Sequence, residues 1–317
     1  MGIDLHNLGL LAHARDLGAS FARTIGIGRQ AVFVDRRELE QHRRLRHLPP
    51  LREPARAAGT PRYFEPLLQQ WLAAEQVDSV DASAYENATL LHDMNLPLPA
   101  TGLARSSYDA VLDFGCLEHV FDFPTAWRNC VDLCKVGGHI LHSLPANNLA
   151  GHGFYQFSPE LFFNLYREQN GFDLRGLWFA LKADPKHWWQ VADPAGVKRR
   201  VTLRNAHEVY LLVIARKLAE PGRLPPPQQS DYAQSEWLKP VASAAADAGV
   251  GAGPEAEAAT GAGSGAARQA LAALGLLDLA RSARERWRGL SASGLALPPP
   301  DYRRVVVADL LRVGAGR

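Results

Sequence analysis

The chain has 317 residues, a formal net charge of +2 and an apolar fraction of 47%. That length allows one large domain with an appendage or two smaller domains, and the small net charge gives no argument for nucleic-acid binding. No apolar run approaches the roughly 20 residues that cross a bilayer, and charged residues interrupt the N-terminal segment where a secretory signal would be apolar. Three cysteines are too few for a disulfide framework, so we expect a cytoplasmic globular protein.

Helix and strand patterns alternate from the N-terminus. A helix is predicted over residues 5–17, followed by a short β-branched strand, 22–28, that ends in glycines. Residues 62–75 place apolar side chains on one helical face. Two short apolar runs, 77–83 and 88–95, have the lengths of strands and each carries an acidic residue near its end.

The next part of the chain has clearer helix boundaries. After a buried strand at 108–115, a helix is predicted with Asp122 as N-cap, Pro124 in its first turn and Gly137–Gly138 as its end. A strand follows at 139–145.

The last predicted helix begins after Ser158 and stops at Asn170–Gly171. Two strands, 172–182 and 207–217, would then close the domain as an antiparallel pair. This alternation predicts an α/β fold with a Rossmann-like, doubly wound, mostly parallel sheet and an antiparallel terminal strand.

Composition divides the chain into three parts. Residues 1–218 form the predicted domain, and 219–267, rich in Pro, Ala, Gly and Ser, are predicted to be a disordered linker. Residues 268–317 are predicted to be a helical segment able to dock on the domain or on a protein partner. The Arg-rich insertion at 36–62 is interpreted as a solvated loop, or alternatively as an attractor for an anionic acceptor or an acyl-carrier protein.

Several predicted strand ends carry groups suited to a ligand. Ligands of open α/β sheets bind at the carboxyl ends of the strands. Gly26 and Gly28 would let the backbone approach a polar ligand. Asp81 could accept hydrogen bonds from a ribose diol, and Asp93 from an exocyclic amine. The same glycines and acids could instead serve as turn residues and caps.

One stretch resembles a known family. The run 108–145 contains the segment Leu117–Glu118–His119–Val120, followed by a helix, a Gly-Gly pair and a strand. It is similar to class I S-adenosylmethionine-dependent methyltransferase domains of the type 11-like, small-molecule kind, and the resemblance extends over 22–217. It implies S-adenosylmethionine as cofactor and methyl transfer to an oxygen or nitrogen of a small-molecule or glycan acceptor, with no nucleic-acid partner.

The resemblance also implies roles for individual residues. The residues placed near the cofactor are Gly26 and Gly28 beside its polar tail, Asp81 and Ala82 at the ribose, Asp93 and Met94 beside the adenine, and Phe114, Gly115 and Glu118 along the methionine part. His119 or His152 would act as the base that deprotonates an oxygen acceptor. The glycine loop departs from the family pattern, because TIGIGRQ lacks the preceding acidic residue and the third glycine.

The sequence leaves two other functions open and argues against a metal site. A non-catalytic interaction module is favoured by the irregular glycine loop. A nucleotide-dependent oxidoreductase or epimerase needs a Gly-x-Gly-x-x-Gly turn that the chain supplies only in part. The histidines at 92, 139, 142 and 152 lack metal-ligand spacing and cysteine partners, which predicts no metal site.

Overall fold

A computed structural model describes residues 2–52, 61–100, 102–222, 226–234 and 302–312. No helix within these ranges has both the length and the apolar character that crossing a membrane requires.

The described ranges contain one sheet of nine strands. The strands are β1 (Arg23–Ile27), β2 (Gln76–Asp81), β3 (Leu90–Leu91), β4 (Tyr108–Asp113), β5 (Cys134–Asn147), β6 (Phe172–Leu181), β7 (His187–Val191), β8 (Val209–Lys217) and β9 (Tyr302–Val306). The α-helices are α1 (Leu5–Asp16), α2 (Arg36–Leu45), α3 (Glu65–Trp71), α4 (Phe123–Leu133), α5 (Pro159–Leu165), α6 (Pro194–Val197), α7 (Ser230–Gln234) and α8 (Val307–Arg312). Short 3-10 helices lie at Leu117–His119 and Glu168–Asn170.

The strand order is β3-β2-β1-β4-β5-β8-β6-β7-β9. The first five strands in this order pair in parallel, and β8 is antiparallel to both of its neighbours, β5 and β6. The predicted Rossmann-like, mostly parallel α/β sheet is therefore confirmed. The antiparallel strand β8 lies inside the sheet rather than at its edge, because β7 and β9 extend the sheet beyond β6.

The chain moves from β1 towards β2 and β3 on one side, and from β4 to β5 on the other. The direction of winding thus reverses between β1 and β4. In open α/β sheets this reversal opens a crevice at the carboxyl ends of the two strands.

Both faces of the sheet are covered by apolar side chains. Along β8, consecutive residues such as Leu211 and Leu212 belong to two different core clusters, because successive side chains of a strand point to opposite faces of the sheet. One cluster includes Trp127 of α4, and the other includes Leu8 of α1. The sheet is therefore doubly wound, with its core divided between two layers.

Two predicted helix starts and one predicted helix end can be compared directly. The Asp122 side chain accepts the Thr125 amide, and Ser158 accepts the Glu160 amide, so both predicted N-caps are confirmed. The predicted end of α4 at Gly137–Gly138 is wrong, since the helix ends at Leu133 and β5 begins at once.

A buried lysine explains why α4 ends early. Lys217 is fully buried, and its Nζ donates to the carbonyls of Val131 and Cys134, 3.0 and 2.8 Å away. These acceptors lie at the last turn of α4, where carbonyls lack helical partners. A residue distant in sequence therefore caps the helix, and the local glycine signal was misleading.

Two further predictions in the domain need correction. Helix α5 ends at Leu165, and Asn170–Gly171 instead terminate the second 3-10 helix. The predicted solvated loop at 36–62 contains α2, which begins with a reciprocal capping box between Asp35 and Glu38. Burial of Leu39 and His42 fixes this helix against the domain.

The predicted linker and tail also contain described structure. Helix α7 lies within the segment predicted to be disordered, where the Ser230 hydroxyl donates to the Glu160 carboxylate. The tail predicted as helical contributes strand β9, paired antiparallel with β7, before α8. The predicted amphipathic helix around residues 271–287 lies outside the described residues.

Candidate functional site

The turn after β1 contacts both neighbouring strand ends. Gly28 has a φ of +74°, a conformation that side chains disfavour, and its amide donates to the Val80 carbonyl at 2.7 Å. A Cβ on Gly28 would lie 3.9 Å from Sγ of Cys116, which follows β4. The space beside Gly26 is different, because a Cβ there would lie 2.8 Å from the Phe64 ring. Gly26 therefore makes room for packing against Phe64.

The residues after Gly28 hold this turn to its surroundings. Arg29 Nε donates to Glu65 at 2.7 Å, and Nη1 donates to the Glu86 carbonyl at 2.8 Å. Its guanidinium also lies 4.0 Å from the centroid of the Tyr63 ring. Arg29 thus joins the glycine turn to the β2–β3 loop, a role that sequence reasoning missed although Arg29 stood directly after the glycines.

The end of β2 presents the first predicted carboxylate. Asp81 is the last residue of β2 and is partly exposed, and Oδ1 accepts the Ser83 amide at 3.2 Å. Ala82 beside it is exposed. The Asp81 carbonyl accepts the His92 amide at 2.9 Å, so the ends of β2 and β3 lie side by side.

The second predicted carboxylate already accepts hydrogen bonds from a neighbouring residue. Asp93 is exposed and accepts both the amide and the side-chain Nδ2 of Asn95, at 2.9 and 2.8 Å. These hydrogen bonds lower the pKa of Asp93. Met94, in contrast, is buried in the core cluster of α4. Contacts of Asp93 and Met94 with an adenine ring stay a prediction.

The end of β4 leads into the Leu-Glu-His turn. Asp113 is fully buried, and its Oδ1 accepts the amides of Cys116 and Leu117, at 3.1 and 3.2 Å. Phe114 is fully buried and Gly115 partly so. The backbone fixed in this way forms the 3-10 turn Leu117–His119.

Glu118 is the most unusual residue of this turn. Its side chain is fully buried, and neither carboxylate oxygen has a hydrogen-bond partner among the described residues. Burial, reinforced by the charge of Asp113, raises the pKa of Glu118 to about 8. Oε1 lies 3.2 Å from Nε2 of His152 and 3.7 Å from Nε2 of His119.

The structure therefore brings the two predicted catalytic histidines together over Glu118. The rings of His119 and His152 meet edge to face, with centroids 4.9 Å apart, and burial lowers the pKa of each imidazole. The loop that carries His152 is tied to the turn, because the Phe154 amide donates to the Glu118 carbonyl at 2.7 Å. Sequence spacing could not reveal this cluster, since His152 comes from a loop after the next strand.

A buried polar chain behind the turn was also missed. His142 Nδ1 lies 2.7 Å from Oδ2 of Asp113, and its Nε2 lies 2.6 Å from the Tyr166 hydroxyl. All three side chains are buried. A histidine inside the apolar run of β5 could have indicated the network, because buried polar groups need partners.

Comparisons with known proteins place the chain beside several solved structures. No family model matches the sequence, and no curated protein does either. A Burkholderia thailandensis 1,6-didemethyltoxoflavin-N1-methyltransferase, with 1,6-didemethyltoxoflavin and S-adenosylhomocysteine bound, is 14% identical at a TM-score of 0.38, over 68% of this chain and 79% of that one. The [4+2]-cyclase SpnF is 14% identical at a TM-score of 0.37, over 67% and 80%.

A third structure, an S-adenosylmethionine-dependent methyltransferase from Mesorhizobium loti, is 14% identical at a TM-score of 0.36, over 68% of this chain and 98% of that one. With TM-scores below 0.5, these likenesses decide neither the cofactor nor the reaction. The functional assignment therefore depends on the topology and side chains of this chain.

Proposed function

We propose that the protein is an S-adenosylmethionine-dependent methyltransferase acting on an oxygen or nitrogen of a small-molecule or glycan acceptor. The observation that carries this proposal is the reversal of strand order between β1 and β4. It gathers the Gly28 turn, Asp81 and the turn Leu117–His119 at one edge of the sheet, where ligands of such sheets bind.

The cofactor would lie across the ends of β1, β2 and β4. Asp81 is the group for the ribose hydroxyls, since its carboxylate is partly exposed and accepts, among the described residues, one backbone hydrogen bond, from Ser83 at 3.2 Å. The backbone at Gly28 and at Phe114–Gly115 would face the methionine part. Met94 and Asp93, at the end of β3, would border the adenine.

For this reaction the main task of the protein is to align the acceptor atom with the methyl group of the cofactor. The sulfonium group of the cofactor supplies the electrophilic methyl, and holding an acceptor in line with it contributes about 7–11 kcal/mol of barrier reduction. An oxygen acceptor must also lose a proton. His119 and His152 would take it, because their lowered pKa values leave the imidazoles neutral near pH 7.

Calorimetric titration of S-adenosylmethionine and S-adenosylhomocysteine into the full chain tests the proposal. We expect saturable binding of both, weakened about 10- to 100-fold in Asp81→Ala, as the loss of charge-assisted hydrogen bonds implies. Asp193→Ala is the matched control, because this carboxylate is exposed and caps α6 instead of lying at a strand end. If neither ligand binds the wild-type chain, the enzyme assignment is wrong and the non-catalytic interaction module becomes the better explanation.

A further inference from the structure

We propose that Glu118, His119 and His152 bind one divalent transition-metal ion, with Zn²⁺ as the reference ion. This inference goes beyond methyl transfer and stands on the three side chains alone.

The donor atoms lie close enough together for one ion to contact all three after small side-chain movements. One ligand atom from each of the three residues can be chosen so that all lie within 4.8 Å of one another. Ligands bonded at about 2.0–2.1 Å to a tetrahedral or octahedral ion are separated by roughly 2.9–3.4 Å. The 3.2 Å between Oε1 of Glu118 and Nε2 of His152 falls in this range. Nε2 of His119 lies farther from Oε1, at 3.7 Å, so its ring would have to move towards the ion.

The burial of these donors is the second, independent observation. Both oxygens of Glu118 and Nε2 of His152 are buried without a hydrogen-bond partner among the described residues. Their 3.2 Å approach also lacks the geometry of an N–H···O hydrogen bond. A buried carboxylate without a partner costs several kcal/mol. A cation between the three donors would contact both the Glu118 carboxylate and Nε2 of His152, which lack hydrogen-bond partners among the described residues.

The residue types fit the proposed ion. Two imidazoles and one carboxylate form a donor set used for zinc and for ferrous iron. Three protein ligands leave one or more coordination positions open, and the partial exposure of the His119 and His152 side chains, 49% and 36%, places these positions towards solvent. A water molecule or a ligand oxygen would complete the sphere.

Metal binding and proton abstraction are alternative uses of the two histidines. Each Nε2 has one lone pair, which can bind either a metal ion or a proton. With the ion bound, the imidazoles cannot serve as bases, and an acceptor hydroxyl on the metal would lose its proton to solvent water.

Metal binding can be measured without any methyl acceptor. The full chain, with its affinity tag removed and stripped by a chelator, is titrated with Zn²⁺ by calorimetry, and with Co²⁺ while the visible ligand-field bands are recorded. We expect one ion per chain. Glu118→Gln, His119→Ala and His152→Ala should each weaken binding at least about ten-fold, because each removes a direct ligand.

His207→Ala is the matched control, since His207 is an exposed histidine outside the cluster. It should bind both ions as tightly as the wild-type chain. If Glu118→Gln fails to fold, His119→Ala and His152→Ala test the proposal. The two histidine side chains are partly exposed, so their replacement should leave the chain folded. Three outcomes would overturn the proposal. The wild-type chain could show no saturable binding, the ligand variants could bind as tightly as the wild type, or His207→Ala could lose binding to the same extent as they do. These results do not depend on S-adenosylmethionine binding, so the two proposals can fail separately.

Discussion

Asp113 and His142 form the polar link between the core of the sheet and the Leu-Glu-His turn. Oδ2 of Asp113 lies 2.7 Å from Nδ1 of His142, while Oδ1 accepts two amides of the turn. If Nδ1 carries the proton, Nε2 accepts the Tyr166 hydroxyl at 2.6 Å. The chain of hydrogen bonds then ends on the carboxylate that holds Glu118 in place.

Substitution at Asp113 should therefore affect both stability and the site. Asp113→Asn removes the charge and one acceptor from a buried network, which should cost about 1–3 kcal/mol of unfolding free energy. The Glu118 turn should also loosen, so Zn²⁺ binding should weaken. Urea denaturation and zinc calorimetry measure the two effects. Tyr166→Phe is the control, because it deletes only the outer hydroxyl; an equal loss of zinc affinity there would contradict a specific role for Asp113.

The buried lysine of β8 gives a prediction about the core. Lys217→Met leaves the Val131 and Cys134 carbonyls, and the carboxylate of Glu220 at 2.7 Å, without their donor. We expect a loss of roughly 2–4 kcal/mol in the free energy of unfolding. Lys182→Met is the control, because its ion pair with Glu208 is exposed and should contribute at most about 1 kcal/mol. Similar losses in the two variants would show that Lys217 does not cap α4.

Two buried histidines should make stability depend on acid pH. Burial, followed by the charges of Arg46 and Arg15, lowers the pKa of His42 to about 4, and burial lowers that of His139 to about 4. Because the unfolded chain binds protons near pH 6.5, it holds more protons than the folded chain between pH 4 and 6.5. Stability is therefore complete above about pH 6.5 and falls as the pH drops towards 4, by up to roughly 3 kcal/mol per histidine.

Urea denaturation at pH 7 and at pH 4.5 tests this dependence. The difference between the free energies of unfolding at the two pH values should be smaller in His42→Gln, because a glutamine side chain does not titrate. His207→Gln is the control and should leave this difference unchanged, because the His207 side chain is exposed and lies outside the core. An unaltered difference in His42→Gln would contradict the assignment.

The sequence was sufficient for the fold where the physical signals were local. The apolar run that forms β8 and the caps Asp122 and Ser158 are local signals of a few residues, and the strand and both caps are confirmed. The end of α4 and the pairing of β7 with β9 depend on residues far apart in the chain. No local pattern carries that information, so these features could not be predicted.

The site, like the fold, could be predicted only where the signal is local. The sequence predicts which residues end the strands, and the ends of parallel strands lie along one edge of the sheet. The cluster of Glu118 with His119 and His152, however, exists only because a loop after β5 folds back onto the turn after β4. Spacing along the chain, from which no metal site is predicted, carries no information about this contact between distant residues.

Gly153 is the residue that allows this contact, and its substitution gives the sharpest local test. It has a φ of +76°, and a Cβ would lie 2.7 Å from the Glu118 carbonyl oxygen and 2.8 Å from its Cγ. Gly153→Ala should therefore strain the backbone and push the His152 loop away from Glu118, which should lower stability by about 1–3 kcal/mol.

The same variant should bind Zn²⁺ more weakly, because His152 moves with the loop. Gly151→Ala is a close control, since a Cβ there meets nothing within 4 Å, and both properties should stay near those of the wild-type chain. Thermal unfolding and zinc titration of the two variants measure the difference. If Gly153→Ala kept wild-type stability and zinc affinity, the close packing of the loop on Glu118 would have no energetic role, and the cluster would have to form by other contacts.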